Sequence, residues 1–124
     1  MRFGWNANVT STRLLGASAL AALLFLGAYG VIYWFEPLSD FWNVVLTDSF
    51  LVAASAASAS IATLIVKSYD PTDAPRKIWV FYAIGLWFWA VAELIWGYLN
   101  VTKGEVPEGI SDLFWISGYF FFTT

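Results

Sequence analysis

The chain has 124 residues, of which 60% are hydrophobic and only 12% charged, and its formal net charge is −3. Its 8 Trp, 6 Tyr and 11 Phe are more aromatic surface than a soluble domain of this length can bury. The absence of Cys and His excludes disulfides, thiol and imidazole chemistry, and the commonest ligands of zinc and haem. The continuous apolar runs predict an all-α integral membrane protein, an antiparallel transmembrane helix bundle with three full spans and an incomplete fourth.

The first predicted span covers residues 14–35, a stretch long enough to cross a hydrocarbon layer of about 30 Å. Arg2 and Arg13 precede it, and an aromatic cluster closes it, as is typical of a helix anchored at both membrane interfaces. Gly27 and Gly30 lie within it. We expect these glycines to pack against neighbouring helices.

The second predicted span covers residues 41–66 and follows a short turn that contains proline. Its middle is rich in small residues, among them Ala54, Ser58 and Ala62. Small side chains let helix backbones approach closely in a membrane, where packing replaces the hydrophobic effect. We therefore expect this helix to be the central one of the bundle, with neighbours on more than one side.

A polar segment with two prolines, residues 67–77, separates the second span from the third, residues 78–99. A second loop leads to Ser111, which we expect to cap a fourth helix over residues 111–124. That helix covers only about 20 Å at about 1.5 Å per residue, short of a bilayer of about 30 Å. We therefore expect residues 1–124 to form a single transmembrane region that is a fragment of a longer chain.

The basic residues predict the orientation. Five of the six lie before the first span or between the second and third, whereas the other two loops contain Lys103 alone. Because cytoplasmic loops carry the excess of Lys and Arg, we expect a cytoplasmic N-terminus.

Acidic residues occur within or beside the predicted spans. Glu93 and Asp48 each lie about seven residues from the outer end of their helices, and Asp112 is in the first turn of the fourth helix. An ionised carboxylate at this depth is costly unless it reaches water or a partner, and no Lys or Arg lies within the spans. Glu93 and Asp48 are thus expected at one level in the outer leaflet, with Asp112 near the same surface, and we expect the acids to face the bundle interior.

Three other side chains belong to the same candidate site. Asn100 shares a helical face with Glu93, and Trp89 and Trp96 lie one turn away on either side. Three interpretations stay open: a bond that fixes helix register, sensing of a proton or cation, or binding of a ligand.

Catalysis is not expected, because three acids without a base or a metal-ligand set do not form a convincing active site. No metal site and no cofactor motif is evident, and contact with a pigment or lipid through packing is the cofactor role left open. The expected partners are the lipid bilayer and other transmembrane helices or subunits, with no nucleic acid.

Residues 76–122 resemble the multi-pass N-terminal membrane regions of bacterial diguanylate cyclases and sensor histidine kinases. In those regions an acid-x-x-Trp stretch ends one helix, a loop carries Pro and Ser-Asp, and the next helix opens with aromatics and a Gly-Tyr pair. Beyond Glu93, Trp96 and Asp112, the matching residues are Pro107, Ser111, Phe114, Trp115, Gly118 and Tyr119. The resemblance implies a sensory or signal-coupling segment in the bacterial cytoplasmic membrane, with its output domain downstream.

Two other functions remain as alternatives. The chain is also typical of a non-catalytic accessory subunit in a respiratory or photosynthetic membrane complex, where small residues and aromatics contact other subunits, lipids or pigments. A transporter fragment is the lesser alternative, since proton-coupled carriers also use buried acids.

Overall fold

The computed structural model describes residues 9–104 and 109–123, and every regular element in those ranges is an α-helix. The helices are α1 (Val9–Phe35), α2 (Asp40–Ser68), α3 (Ala74–Lys103) and α4 (Ile110–Phe122). Three of them are long and apolar enough to cross a membrane, and α4, with 13 residues, is shorter. The predicted all-α fold with three full spans and a short fourth helix is therefore confirmed.

The chain forms two compact units that divide between Asn43 and Val44. The first contains α1 and the turn that follows it. Pro37 prevents α1 from continuing, and the Asn43 side chain holds the turn, since its amide donates to the Leu38 carbonyl at 2.9 Å and its oxygen accepts from the Leu38 N–H at 3.2 Å. Asn43 is buried, and its two hydrogen bonds satisfy both the N–H and the carbonyl of Leu38.

The second unit contains α2 from Val44 onward, α3 and α4. Neighbouring helices in this unit run antiparallel. As residue numbers increase along one helix, the residues that they contact on the next helix decrease in number. On α2 and α3, Asp48 contacts Asn100, and Thr63 contacts Trp87. On α3 and α4, aromatic pairs follow the same rule, with Phe88 beside Phe114 and Phe81 beside Phe121.

Small residues set the packing of α3 in two rows. Ala83, Ala90 and Gly97 are buried and recur every seven residues, so they share one face of the helix. Gly85 and Ala92 form a second buried row with the same spacing. Two rows of small residues let two neighbours approach the same helix, so α3 is the centre of this unit.

The second row marks the closest approach of two helices. A Cβ built on Gly85 would lie 2.9 Å from the Gly118 carbonyl oxygen, and one built on Gly118 would lie 3.0 Å from that of Gly85. A Cβ at Gly85 therefore requires the backbones to shift, and a Cβ at Gly118 would make a contact tighter than most that real Cβ atoms make. The α3–α4 contact is thus a glycine-to-glycine crossing surrounded by aromatic rings.

All four helices begin before their predicted spans, α1 at Val9 rather than residue 14 and α2 at Asp40 rather than residue 41. α3 begins at Ala74 rather than at residue 78, because Pro75 occupies the first turn, where a missing N–H costs no helix bond. α4 begins at Ile110 with Gly109 as its N-cap, so the prediction that Ser111 caps this helix is wrong. The hydroxyl-bearing Ser111 is instead buried, with 1% of its surface exposed.

Candidate functional site

The structure links α2 and α3 through one buried polar pair. The Asn100 side-chain amide donates to an Asp48 carboxylate oxygen at 2.9 Å. Asp48 is 8% exposed. A Cβ built on Gly97 would lie 3.2 Å from the Asp48 Cβ, so glycine at this position leaves room for the acid. The pair therefore joins two helices that meet closely.

Glu93 makes a different kind of contact. One of its carboxylate oxygens accepts a hydrogen bond from the Trp89 indole N–H at 3.0 Å, and both residues belong to α3. The second oxygen has no hydrogen-bond partner among the described residues. Glu93 is half-buried. Its carboxylate is thus oriented by its own helix and keeps one oxygen free.

Glu93 lines a groove of about 390 Å³, which we call the Glu93 groove. Three helices line it, with small residues on the α2 wall and aromatic residues toward α4. The lining residues are Leu51, Ala54, Ser55, Ser58, Tyr82, Leu86, Trp89, Glu93 and Phe122. The lining is mostly apolar and Glu93 is its one charged side chain, a composition that suits a ligand with one charged and one apolar part.

Asp48 lies beside a second groove of about 440 Å³, which is lined mostly by apolar side chains of α2 and α3. Asp48 packs on Gly97, which follows Glu93 by four residues, or about 6 Å along the helix axis. The two acids are therefore about one turn apart and line separate grooves, where the sequence predicted a common level. Two helices fix Asp48, whereas one fixes Glu93.

Asp112 has a structural role at the start of α4. Its carboxylate accepts a hydrogen bond from the Gly109 backbone N–H at 2.9 Å. An acid in the first helical turn also interacts favourably with the helix dipole. The contact accounts for Asp112 without a ligand, and the described structure does not join it to Asp48 or Glu93.

The tryptophans of the candidate site contact α4. Trp89 stacks edge-on against Tyr119 at a centroid distance of 5.1 Å, and Trp96 packs against Trp115 at 5.5 Å. The Trp115 indole nitrogen is buried and has no hydrogen-bond partner within the described ranges. Trp89 thereby connects the Glu93 carboxylate to the neighbouring helix.

The residues that carry the family resemblance lie mainly at the α3–α4 contact. Phe114 packs on Phe88 at 5.7 Å, and Gly118 forms the crossing with Gly85. Ser111, Trp115 and Tyr119 are described above, and Pro107 lies outside the described residues. The motif is accounted for by helix packing.

The structure supports a packing role for only some of the residues that were predicted to pack against other helices. Ala62 is 2% exposed and belongs to the α2 core together with Ala59, which the sequence analysis did not single out. Ala54 and Ser58 are exposed and line the Glu93 groove instead of a close contact. A Cβ built on Gly27 or Gly30 meets no heavy atom within 4 Å, so a packing role for these glycines stays a prediction.

Sequence reasoning missed two polar contacts. Asn43 had a recognisable signal, because an Asn placed a few residues after a proline turn is well suited to bond the turn backbone. The Trp87 indole N–H donates to the Thr63 hydroxyl at 3.0 Å across α2 and α3, and neither residue had a distinguishing pattern.

Among residues 9–104 and 109–123, no group of three acidic or other metal-ligating side chains lies close enough to hold a metal ion. The chain matches no protein-family model, and no curated protein or solved structure is significantly similar to it.

Proposed function

We propose that this chain is a membrane-embedded sensory and signal-coupling segment of a bacterial signalling protein. It lies in the cytoplasmic membrane with its N-terminus in the cytoplasm, and no catalysis takes place within these residues. The observation that carries the proposal is Glu93, an acid that lines a groove formed by three helices and whose carboxylate has one oxygen without a hydrogen-bond partner among the described residues. Intramembrane acids are costly, and in such a groove they are suited to receive a signal.

Coupling follows from the contacts of Trp89. Its indole donates to Glu93, and its ring packs on Tyr119 and Phe122 of α4 at 5.1 and 6.1 Å. A ligand or proton at Glu93 changes the partner of this indole. Because α3 meets α4 at a tight glycine crossing, a shift of Trp89 favours a different arrangement of the two helices.

The family resemblance supports the same proposal. Its motif residues assemble on the α3–α4 contact, next to the groove that contains the candidate acid. A signal received at the groove therefore reaches α4 directly, and in the proposed topology any chain after α4 enters the cytoplasm.

The test is intact mass spectrometry, with peptide sequencing, of the protein extracted from its native membrane in mild detergent. The expected result is a polypeptide well above 13.8 kDa whose peptides include a cytoplasmic cyclase or kinase domain. A mass near 13.8 kDa, in stoichiometric company with a larger membrane complex, would contradict the sensory proposal.

That contrary result would support the second candidate, an accessory subunit of a respiratory or photosynthetic complex. The observation that favours it is the number of large apolar side chains exposed on all three helices of the second unit. Examples are Leu64, Leu94, Tyr98, Ile116 and Phe120, each at least 58% exposed. Such surfaces contact either lipid or the helices of other subunits.

A further inference from the structure

The Glu93 groove combines three properties that select a class of ligand. Glu93 is its one charged lining residue, three of its lining residues are aromatic, and the lining extends along α3. Tyr82 and Glu93 both line it and are eleven residues apart, which corresponds to about 16 Å along the helix. A molecule that fills this space therefore needs an extended apolar part as well as a head group.

The polar groups of the groove favour a positive head group. The donors that stand near Glu93 are already engaged: the Trp89 indole donates to Glu93, and the hydroxyls of Ser55 and Ser58 donate to backbone carbonyls of their own helix at 3.0 and 2.8 Å. What they leave toward the groove are acceptor oxygens. Anions need donors, and the other donor among the lining side chains, the Tyr82 hydroxyl, belongs to a residue about 16 Å along the helix from Glu93, so the surroundings of Glu93 disfavour an anion.

The Glu93 carboxylate has no basic side chain of its own chain as a partner within the predicted spans. No Lys or Arg occurs between residues 78 and 102, and none occurs between residues 14 and 66. An ionised carboxylate within a membrane is stabilised by an ion partner or water. A metal ion is a poor candidate, because it requires several oxygen ligands and the described residues form no acidic cluster.

The aromatic residues match an organic cation. Phe122 lies 5.1 Å from the Tyr82 ring and 6.1 Å from the Trp89 ring, so the three rings form a continuous wall next to the acid. Aromatic rings attract ammonium groups through their quadrupole and also pack against alkyl chains. Leu86 and the small residues of α2 complete the apolar part.

We propose that the Glu93 groove binds an organic ammonium cation with an apolar tail, its head group at Glu93 and Trp89 and its tail along Leu86 and Phe122 toward Tyr82. The inference deepens the proposed function and rests on it, since it names the class of ligand that the sensory groove takes. Cation binding competes for the Glu93 carboxylate that holds the Trp89 indole, so it acts on the same residue that contacts α4.

The test measures binding of hexyltrimethylammonium to the full chain in nanodiscs of zwitterionic lipid, by isothermal titration calorimetry with empty nanodiscs subtracted. Hexanesulfonate, with the same tail and the opposite charge, is the matched ligand control. We expect saturable binding of the cation and none of the sulfonate. Equal binding of both ligands would show simple partition into an apolar surface and would overturn the proposal.

The matched variants are Glu93→Gln and Asp48→Asn. Glutamine keeps the acceptor for the Trp89 indole but removes the charge, so Kd should rise about tenfold or more. Asp48→Asn removes the other deeply placed charge, outside this groove, and should leave Kd unchanged. If Glu93→Gln binds like the wild type, or if both variants lose binding equally, the proposal fails.

A second variant covers the case in which Glu93→Gln does not fold. Ala54→Leu extends a side chain into the groove from α2 and leaves the acid in place, so it should abolish saturable binding. Unaltered binding in this variant would overturn the proposal. So would an oligomer in which a second copy fills the groove and no cation binds. None of these outcomes changes the mass and peptides that test the signalling function.

Discussion

On its α4 side, α3 meets its neighbour through glycine and aromatic rings, whereas on its α2 side a row of small residues is supplemented by two polar contacts. Gly85 and Gly118 allow backbone contact on the first side. On the second, Asp48–Asn100 and Thr63–Trp87 are single hydrogen bonds separated along the helix. Close packing spreads the stabilisation over many atom contacts, whereas each hydrogen bond stabilises the interface at a single pair of residues.

The difference determines where space is left. The Gly85–Gly118 contact closes the middle of the α3–α4 interface and leaves a smaller groove of about 290 Å³ beside Ile78 and Phe121, whereas grooves of about 390 and 440 Å³ open along α2. Both candidate acids line these grooves. The α4 side is thus suited to hold helices together, and the α2 side to admit another molecule. The following variants test this comparison by their effect on the free energy of unfolding, measured by titrating mixed micelles with SDS.

The largest effect is expected for Gly85→Leu. The new side chain collides with the Gly118 backbone and the Phe122 ring, and overpacking of this kind costs about 3 kcal/mol. The control is Gly27→Leu, where a Cβ meets no heavy atom within 4 Å, and the expected change is below about 0.5 kcal/mol. Equal stability of the two variants would show that the α4 side does not depend on close approach.

Asp48→Ala should destabilise the protein by about 1 kcal/mol, because hydrogen bonds between membrane helices average somewhat less than this and the Asn100 amide also loses its acceptor. Asp48→Asn keeps an acceptor oxygen and should stay within about 0.3 kcal/mol of the wild type. If the two variants are equally unstable, the charge of Asp48 and not its hydrogen bond links the helices.

Asp112→Ala should lower the free energy of unfolding by about 0.5 kcal/mol, since it removes the acceptor of the Gly109 N–H at the start of α4. Asp112→Asn retains an oxygen and should recover most of the loss. A loss well above 1 kcal/mol would contradict a purely local cap and indicate a further partner for this acid.

Glu93→Gln should have the smallest effect on stability, below about 0.3 kcal/mol, because the Trp89 bond lies within α3 and joins no two helices. Glu93→Ala provides the comparison, since it removes the acceptor as well. A loss as large as that of Asp48→Ala would contradict the distinction between a linking acid and a groove acid.

Sequence alone predicted the membrane spans well because bilayer thickness imposes a long apolar run on any spanning helix. The helix starts were less accurate. Pro75 lies in a polar segment that reads as loop, yet proline is favoured in the first helical turn, and α3 begins before it. At α4 the Ser111 hydroxyl suggested a cap, but the N-cap is Gly109, two residues earlier, and the serine is buried.

The sequence singled out the residues of the candidate site, but it did not predict which of them form hydrogen bonds with each other. Trp89 and Glu93 are four residues apart, so their contact follows from helical geometry. The Asp48–Asn100 bond depends on how far α2 and α3 are rotated and shifted against each other. That arrangement is determined by small residues along the whole contact, and no local pattern encodes it.

Asn100 occupies a position with two attachments. Its side chain holds Asp48 of α2, and its backbone carbonyl accepts the N–H of Gly104, the left-handed residue that ends α3, at 3.0 Å. Fraying of the last turn of α3 therefore loosens the residue that anchors α2, and separation of α2 from α3 weakens the helix end in turn. Through Asn100, the unwinding of the C-terminal end of α3 and the separation of α2 from α3 are coupled and occur cooperatively.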